Sequence, residues 1–275
     1  MAKEQQREPD LREAVSRART ARGAGLENLL YHRSQDVLEA LLENPQLREQ
    51  HLMILLARRD LPREIVSRVA QRNDWMKSYS VKLAVVKHPR TPRYLALPLM
   101  NFLYLFDLLA VATAPGVPAD LKRVVEDAIL SQLEGIALGQ RLSLARRGSH
   151  RVAAGLLADS DPRVIAAALS NPSLTEPAVA AALLLEKSTR HLTESVLGHP
   201  RWSAQYNVKL ALLRNKHLSL ARCMRLLPDL ARTDLVDLVS DPRVAGNVRI
   251  YVSHLMKTKG ARQKSKQAII GAPES

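Results

Sequence analysis

Apolar residues recur at helical spacing in a series of short segments, each about 8 to 15 residues long, such as Val37, Leu38, Leu41 and Leu42, or Ile65, Val66 and Val69. Each apolar run is cut off by a recognisable stop. Asn44-Pro45, His88-Pro89, Asn171-Pro172 and His199-Pro200 follow apolar runs, and the residue before a proline is pushed out of helical geometry, so these read as helix ends. Thr91-Pro92, Asp161-Pro162 and Asp241-Pro242 read as helix starts, where a side-chain oxygen caps free amides and proline tolerates the first helical position. A helix of two or three turns is marginal in water, so the pattern predicts many short helices stacked side by side, each covering the apolar stripe of the last.

The pattern is also written twice. Residues 26–130 aligned with 153–257, an offset of 127, give 25 identities in 105 pairs without a gap. The agreements fall in blocks. Leu42, Asn44, Pro45 and Leu47 match Leu169, Asn171, Pro172 and Leu174; Trp75, Tyr79, Val81, Lys82, Leu83 and Ala84 match Trp202, Tyr206, Val208, Lys209, Leu210 and Ala211. Leu103, Asp107, Leu108, Pro115 and Val117 match Leu230, Asp234, Leu235, Pro242 and Val244. A gap-free match implies that helices and connections were copied together. The chain therefore divides into a capping helix or arm at 1–25, a first repeat unit at 26–152, a second at 153–258 that continues the same stack, and a basic tail at 259–275 expected to be disordered.

Within the units, Ala158 to Leu184 and Ala70 to Met100 share one form. An apolar run is followed by a polar turn with Asp or Asn, a Val with a basic residue, an alanine-rich turn, Asn-Pro or His-Pro, and a second apolar run. This resembles the HEAT-like superfamily of helical repeats, and especially the bacterial leucine-rich repeat variant family. The resemblance covers most of residues 26–257 and implies an all-α, right-handed α-solenoid, in which an α-helix is paired with a shorter 3₁₀ helix in some short segments. It also implies a scaffold or adaptor role, since HEAT-like proteins mostly serve as such and only a few are nucleic-acid enzymes. The amino-terminal cysteine cluster of some variant-family members is missing here, and the repeat spacing is irregular.

Composition supports the helical reading. Apolar residues make up 46% of the chain but aromatics only 4%, so the core material is Leu, Ala and Val, which fill narrow seams between helices. No window holds 18 consecutive apolar residues and the first ten residues are polar and charged, so a cytoplasmic protein is expected. The lone cysteine, Cys223, lies among Leu220, Met224 and Leu227 and reads as a buried, inert thiol.

Net charge is +14, which attracts polyanions without saying which kind. Its distribution is more informative. No Asp or Glu occurs from Trp75 to Phe106, a window holding Lys77, Lys82, Lys87, Arg90 and Arg93. None occurs from Ser195 to Pro228 either, where Arg201, Lys209, Arg214, Lys216, Arg222 and Arg225 lie. Trp75 with Tyr79, and Trp202 with Tyr206, fall inside these windows at one-turn spacing. The functional reading is a duplicated polyanion or partner site made of Trp75, Lys77, Tyr79, Lys82, Lys87, Arg90 and Arg93 and of Arg201, Trp202, Tyr206, Lys209, Arg214 and Lys216. The structural reading is that the rings fill a wide gap between helices, and that Lys82 and Lys209 belong to a ladder of basic residues.

Little else carries chemistry. His88, His199 and His217 stand at helix ends and suit capping better than metal ligation. Asp234, Asp237 and Asp241 share no evident catalytic pairing, and no phosphate loop or nucleophile elbow is present. No catalytic residue, metal site, cofactor or small-molecule substrate is therefore expected. Two function classes remain: a non-catalytic adaptor that binds an acidic protein surface, and a nucleic-acid-binding protein using the basic windows and tail. A membrane surface is a lesser candidate, and Asp74 beside Trp75 leaves a HEAT-like DNA glycosylase as a minor one.

Overall fold

The computed structural model describes residues 7–257, and the described residues are α-helical and 3₁₀-helical with no β-strand among them. The lysine-rich tail from residue 258 on lies outside that range. None of the described helices is long and apolar enough to cross a membrane. The chain forms two compact units, Met1–Ser131 and Gln132–Ser275.

The first unit runs α1 (Arg7–Thr20), α2 (Gly23–Leu29), α3 (Gln35–Leu42), α4 (Glu49–Ala57), α5 (Arg63–Gln71), a 3₁₀ turn (Trp75–Lys77), α6 (Tyr79–Lys87), α7 (Arg93–Met100), α8 (Leu105–Thr113) and α9 (Ala119–Ser131). The second opens with a 3₁₀ turn (Leu133–Gly135) and continues with α10 (Leu138–Arg147), α11 (His150–Gly155), α12 (Pro162–Leu169), α13 (Glu176–Leu184) and α14 (Arg190–Gly198). It ends with α15 (Pro200–Ser203), α16 (Tyr206–Leu213), α17 (Leu220–Leu226), α18 (Arg232–Ser240) and a last helix, α19, over residues 246–257. Further 3₁₀ turns lie at Leu156–Ala158 and Leu227–Asp229.

The duplication is visible in the helix boundaries. Moved by 127 residues, α4, α5 and α8 land on α13, α14 and α18 end for end. The copy also reaches further back than residue 26. Helices α1 and α2 have counterparts in α10 and α11, and Leu11, Ser16, Ala18 and Arg19 match Leu138, Ser143, Ala145 and Arg146. The stretch ahead of residue 26 thus contributes the first helix pair of its unit, with Ala18 fully buried.

The helices pack mainly on near neighbours in the chain. In the first unit α1, α3, α5, α7 and α9 form one row and α4, α6 and α8 a second; in the second unit α10, α12 and α14 alternate with α11, α13 and α16. The cores follow the apolar stripes. Helix α3 buries Val37, Leu38, Ala40, Leu41 and Leu42, and α5 buries Ile65, Val66 and Val69. Each such large aliphatic side chain contributes roughly 1.5–3 kcal/mol when fully buried, which offsets the weak intrinsic stability of two-turn helices.

Polar side chains hold successive helices in register. Asn44 is buried, and its Nδ2 donates to the carbonyls of Ala18 at 2.8 Å and Ala21 at 3.0 Å, while its Oδ1 accepts from the Gln46 amide at 2.8 Å. Asn171 repeats this with Ala145, Gly148 and Ser173 at 2.8, 3.0 and 2.8 Å. The last carbonyls of a helix have no partner inside it, so each asparagine caps the helix end lying one repeat earlier. Arg58 reaches the Leu30 and His32 carbonyls, and Asn215 reaches that of Leu183 at 2.6 Å. Within each unit, the long-range side-chain bonds described here span between 18 and 33 residues, about one helix pair.

Proline positions are resolved case by case. The four expected helix ends are ends, since α3, α6, α12 and α14 stop before Asn44, His88, Asn171 and His199. Asp161 caps α12 as expected, accepting from the Arg163 amide at 2.9 Å, and the Arg163 guanidinium, then that amide, hold its carboxyl down to about 2. Two expected starts differ. Thr91 is buried and its hydroxyl donates back to the Val85 carbonyl, leaving Pro92 at the N-cap of α7. Asp241-Pro242 opens a turn instead of a helix, with the Asp241 carboxylate held by Arg214 and Arg243.

Candidate functional site

The two tryptophans have different environments. Trp202 is 1% exposed and its Nε1 donates to the Leu169 carbonyl at 2.7 Å, with the Arg201 guanidinium 4.1 Å from its ring centroid. The equivalent carbonyl in the first unit, Leu42, is taken by Arg72 instead. Trp75 is thereby released from that task. It sits half-buried with Arg72 stacked 4.3 Å from its ring centroid. At the position equivalent to Arg72 the second unit carries His199, and the indole of Trp202 meets the carbonyl there.

The tyrosines keep one geometry in both copies. The Tyr79 hydroxyl donates to Asp107 and accepts from the Tyr104 amide at 3.0 Å; the Tyr206 hydroxyl donates to Asp234 and accepts from the Ala231 amide at 3.1 Å. Burial, then the Asp107 carboxylate, raises the Tyr79 phenol; for Tyr206 the Asp234 contact leads. These hydroxyls are joints between repeats. In the first unit alone the ring also stacks, with Tyr79 and Tyr104 centroids 4.8 Å apart.

Most of the basic candidates are engaged within the chain. Lys77 pairs with Asp74 at 3.0 Å, and Arg93 with Asp120 at 3.4 Å. Arg90 donates to the Asp60 and Leu61 carbonyls, Arg201 to that of Leu174, and Lys216 to that of Glu186. Arg214 pairs with Asp241 at 2.8 Å, and Lys209 with Asp229 at 2.6 Å. Lys82 places its Nζ 4.8 Å from the Phe102 ring centroid, and residue 102 is the counterpart of Asp229. The acid-free windows are thus answered by carboxylates and carbonyls from neighbouring repeats, which a linear scan for charge does not register. Internal bonds engage Lys77, Arg90 and Arg93 of the first window and Arg201, Lys209, Arg214 and Lys216 of the second.

Lys87 is the exception, with no intramolecular partner among the described residues. It lies at an open groove of about 650 Å³ in the first unit, together with Arg59, which also lacks one. Met53 and Leu56 of α4, Tyr79 and Leu83 of α6, and Pro115 beyond α8 supply the apolar lining. No Asp or Glu lines it. His88, also at the groove, is buried; its Nε2 lies 2.9 Å from the Arg58 carbonyl and its Nδ1 accepts from the Arg90 amide at 3.2 Å. Burial lowers its pKa, so it caps the preceding helix as a neutral ring, not as a cation.

Next to the groove lies an aromatic cluster that the sequence windows did not single out. Phe102 is 60% exposed, Tyr104 72% and Phe106 45%, and these two phenylalanines are the only ones in the chain. Their counterparts are Asp229, Ala231 and Thr233. The cluster belongs to the first unit alone.

Other features are accounted for structurally. Among the described residues no three His, Cys, Asp or Glu side chains are grouped to hold a metal ion. Cys223 is fully buried, which pushes its thiol up to about 11. Asp74 is exposed and its carboxyl is lowered by Lys77, the opposite of the raised value a general base at neutral pH needs. Compared with family models, with curated proteins and with solved structures, the chain finds no match in any of the three.

Proposed function

We propose that the chain is a right-handed α-solenoid of HEAT-like repeats, related in pattern to the leucine-rich repeat variant family, and that it works as a non-catalytic scaffold for an acidic protein partner. The solenoid reading is supported by strong packing between helices close together in the chain, none of the strongest pairs more than three helices apart, and by side-chain bonds that join segments 18 to 33 residues apart. Such stacks offer long surfaces on which a partner is gripped.

The observation that carries the binding reading is the exposure of both phenylalanines beside Tyr104. Large aromatic rings left in water are characteristic of interaction surfaces. The excess of basic charge sets the sign of the partner. A nucleic-acid ligand is the second reading, favoured by Lys82 lying beneath the exposed Phe102, an arrangement that suits base stacking beside a phosphate.

The two readings part in one experiment. Affinity capture from a nuclease-treated extract is run with the intact chain and with Phe102→Ser/Phe106→Ser. The scaffold reading expects a protein retained by the former and lost by the latter. Release of everything by nuclease, with retention on an oligonucleotide that falls steeply with salt, establishes the second reading in its place.

A further inference from the structure

We propose that the groove between α4, α6 and the end of α8 is the seat of an acidic amphipathic helix of the partner. This inference rests on the scaffold reading and gives it a place. The groove joins an apolar lining to two cations, Arg59 and Lys87, that nothing else in the described chain engages. Elsewhere in the first unit, basic side chains such as Arg58, Arg68, Arg72 and Arg93 are held by acids or carbonyls of the chain itself.

The second copy supplies an internal comparison. Arg214 stands where Lys87 stands, but it is captured at 2.8 Å by Asp241, whose counterpart in the first unit is Ala114, a lining residue of the groove. The counterpart of Arg59 is Glu186. Met53 becomes Ala180. The same backbone plan therefore holds an acid-free apolar groove with two unanswered cations in one unit, and a neutralised face in the other. What the first unit lacks, a carboxylate opposite Lys87 and another at Arg59, is what an incoming ligand would bring.

Dimensions select the form of the ligand. Packed helices lie 8–10 Å apart, so a groove crossing from α4 over α6 to the end of α8 is roughly 20 Å long, or about 13 residues of α-helix. Apolar side chains three and four residues apart would enter beside Met53, Leu83 and Tyr79, with flanking carboxylates reaching Arg59 and Lys87. Tyr79 continues the surface onto Tyr104 and the aromatic cluster.

The test uses a fluorescein-labelled amphipathic Leu/Glu peptide of about 14 residues, versions with Lys for Glu and with Ser for Leu, and a single-stranded oligothymidylate of equal length. Anisotropy titrations compare the full chain with Arg59→Glu/Lys87→Glu, with Ser80→Trp, which obstructs the groove, and with Arg123→Glu, an exposed site outside it. Circular dichroism checks that each variant is folded. The Leu/Glu peptide is expected to bind, to weaken about tenfold or more in the double variant and the obstructed one, and to change less than about twofold in Arg123→Glu. The Lys and Ser peptides are expected not to compete. Equal binding of the Leu/Glu peptide to all variants overturns the groove and leaves the scaffold reading standing. Absence of peptide binding, with oligothymidylate binding that the same substitutions weaken, overturns both.

Discussion

Removing the buried asparagines tests the duplicated architecture directly. Asn44 and Asn171 each make three hydrogen bonds, at 2.8, 3.0 and 2.8 Å, to equivalent atoms 127 residues apart. Each is at most 4% exposed, so water cannot replace the lost partners cheaply. At a net value near 1 kcal/mol per bond, Asn44→Ala and Asn171→Ala should each cost about 3 kcal/mol, a large share of the 5–15 kcal/mol typical of a folded domain. Asn→Asp at either site keeps the acceptor and the volume but sets a carboxylate against two carbonyls, and should cost at least as much. The assay is urea unfolding followed by far-ultraviolet circular dichroism at pH 7, with loss read from the midpoint at constant slope. Because the two sites share no partner, the double variant should show the sum of the single losses. Losses below about 0.5 kcal/mol, or one site costing several times the other, would refute the claim that the two form equivalent joints.

Three further outcomes are expected. Trp202→Phe should cost about 1–3 kcal/mol because it leaves the Leu169 carbonyl buried without a donor, while Trp75→Phe should change urea stability by less than about 0.5 kcal/mol. Cys223, with its thiol raised to about 11, should resist aromatic disulfide reagents at pH 8 until urea unfolds the chain; its neutral form favours folding below the ordinary thiol value, and that contribution should fade as pH rises toward 11. Asp241 is lowered by Arg243, with burial opposing and Arg214 adding to the effect. Its stabilising charge is present above the ordinary carboxylate value near 4 and lost as pH falls below it, so Asp241→Asn should lower stability at pH 7 and flatten the acid limb of the pH profile.

The fold was legible because stops and stripes are local signals. The run Asn44-Pro45 marks a helix end in any context, and Ile65, Val66 and Val69 can share a buried face only as a helix. The ladder bonds were not legible. Nothing near Asn44 in sequence says that its amide will reach Ala18, since that pairing depends on the pitch of the stack. For the same reason the pairing of the basic windows was not legible: Arg214 looks unpaired until Asp241 arrives from 27 residues away. The match of α1 and α2 to α10 and α11 rests on few residues in a charge-rich stretch, and the structure shows it through Ala18 and Ala145, both fully buried and both supplying a carbonyl to an asparagine.

The two units differ in how their cations and rings are engaged, and the difference acts through few positions. Replacing a carboxylate by a methyl at position 114, relative to 241, removes the clamp that would have closed over Lys87. Phe102 in place of an acid trades the 2.6 Å ion pair seen at Lys209 for a ring that leaves Lys82 less tightly committed. Arg72 in place of His199 takes over a carbonyl and frees an indole from the core. In each case the cation or ring remains and its internal partner changes. The Arg214–Asp241 pair is mostly buried, at 20% and 10% side-chain exposure, so the second unit gains a bond there that Lys87 lacks in the first. The two units therefore keep a cation at matched positions and differ in whether an internal acid answers it, while the asparagine and tyrosine joints hold the frame unchanged.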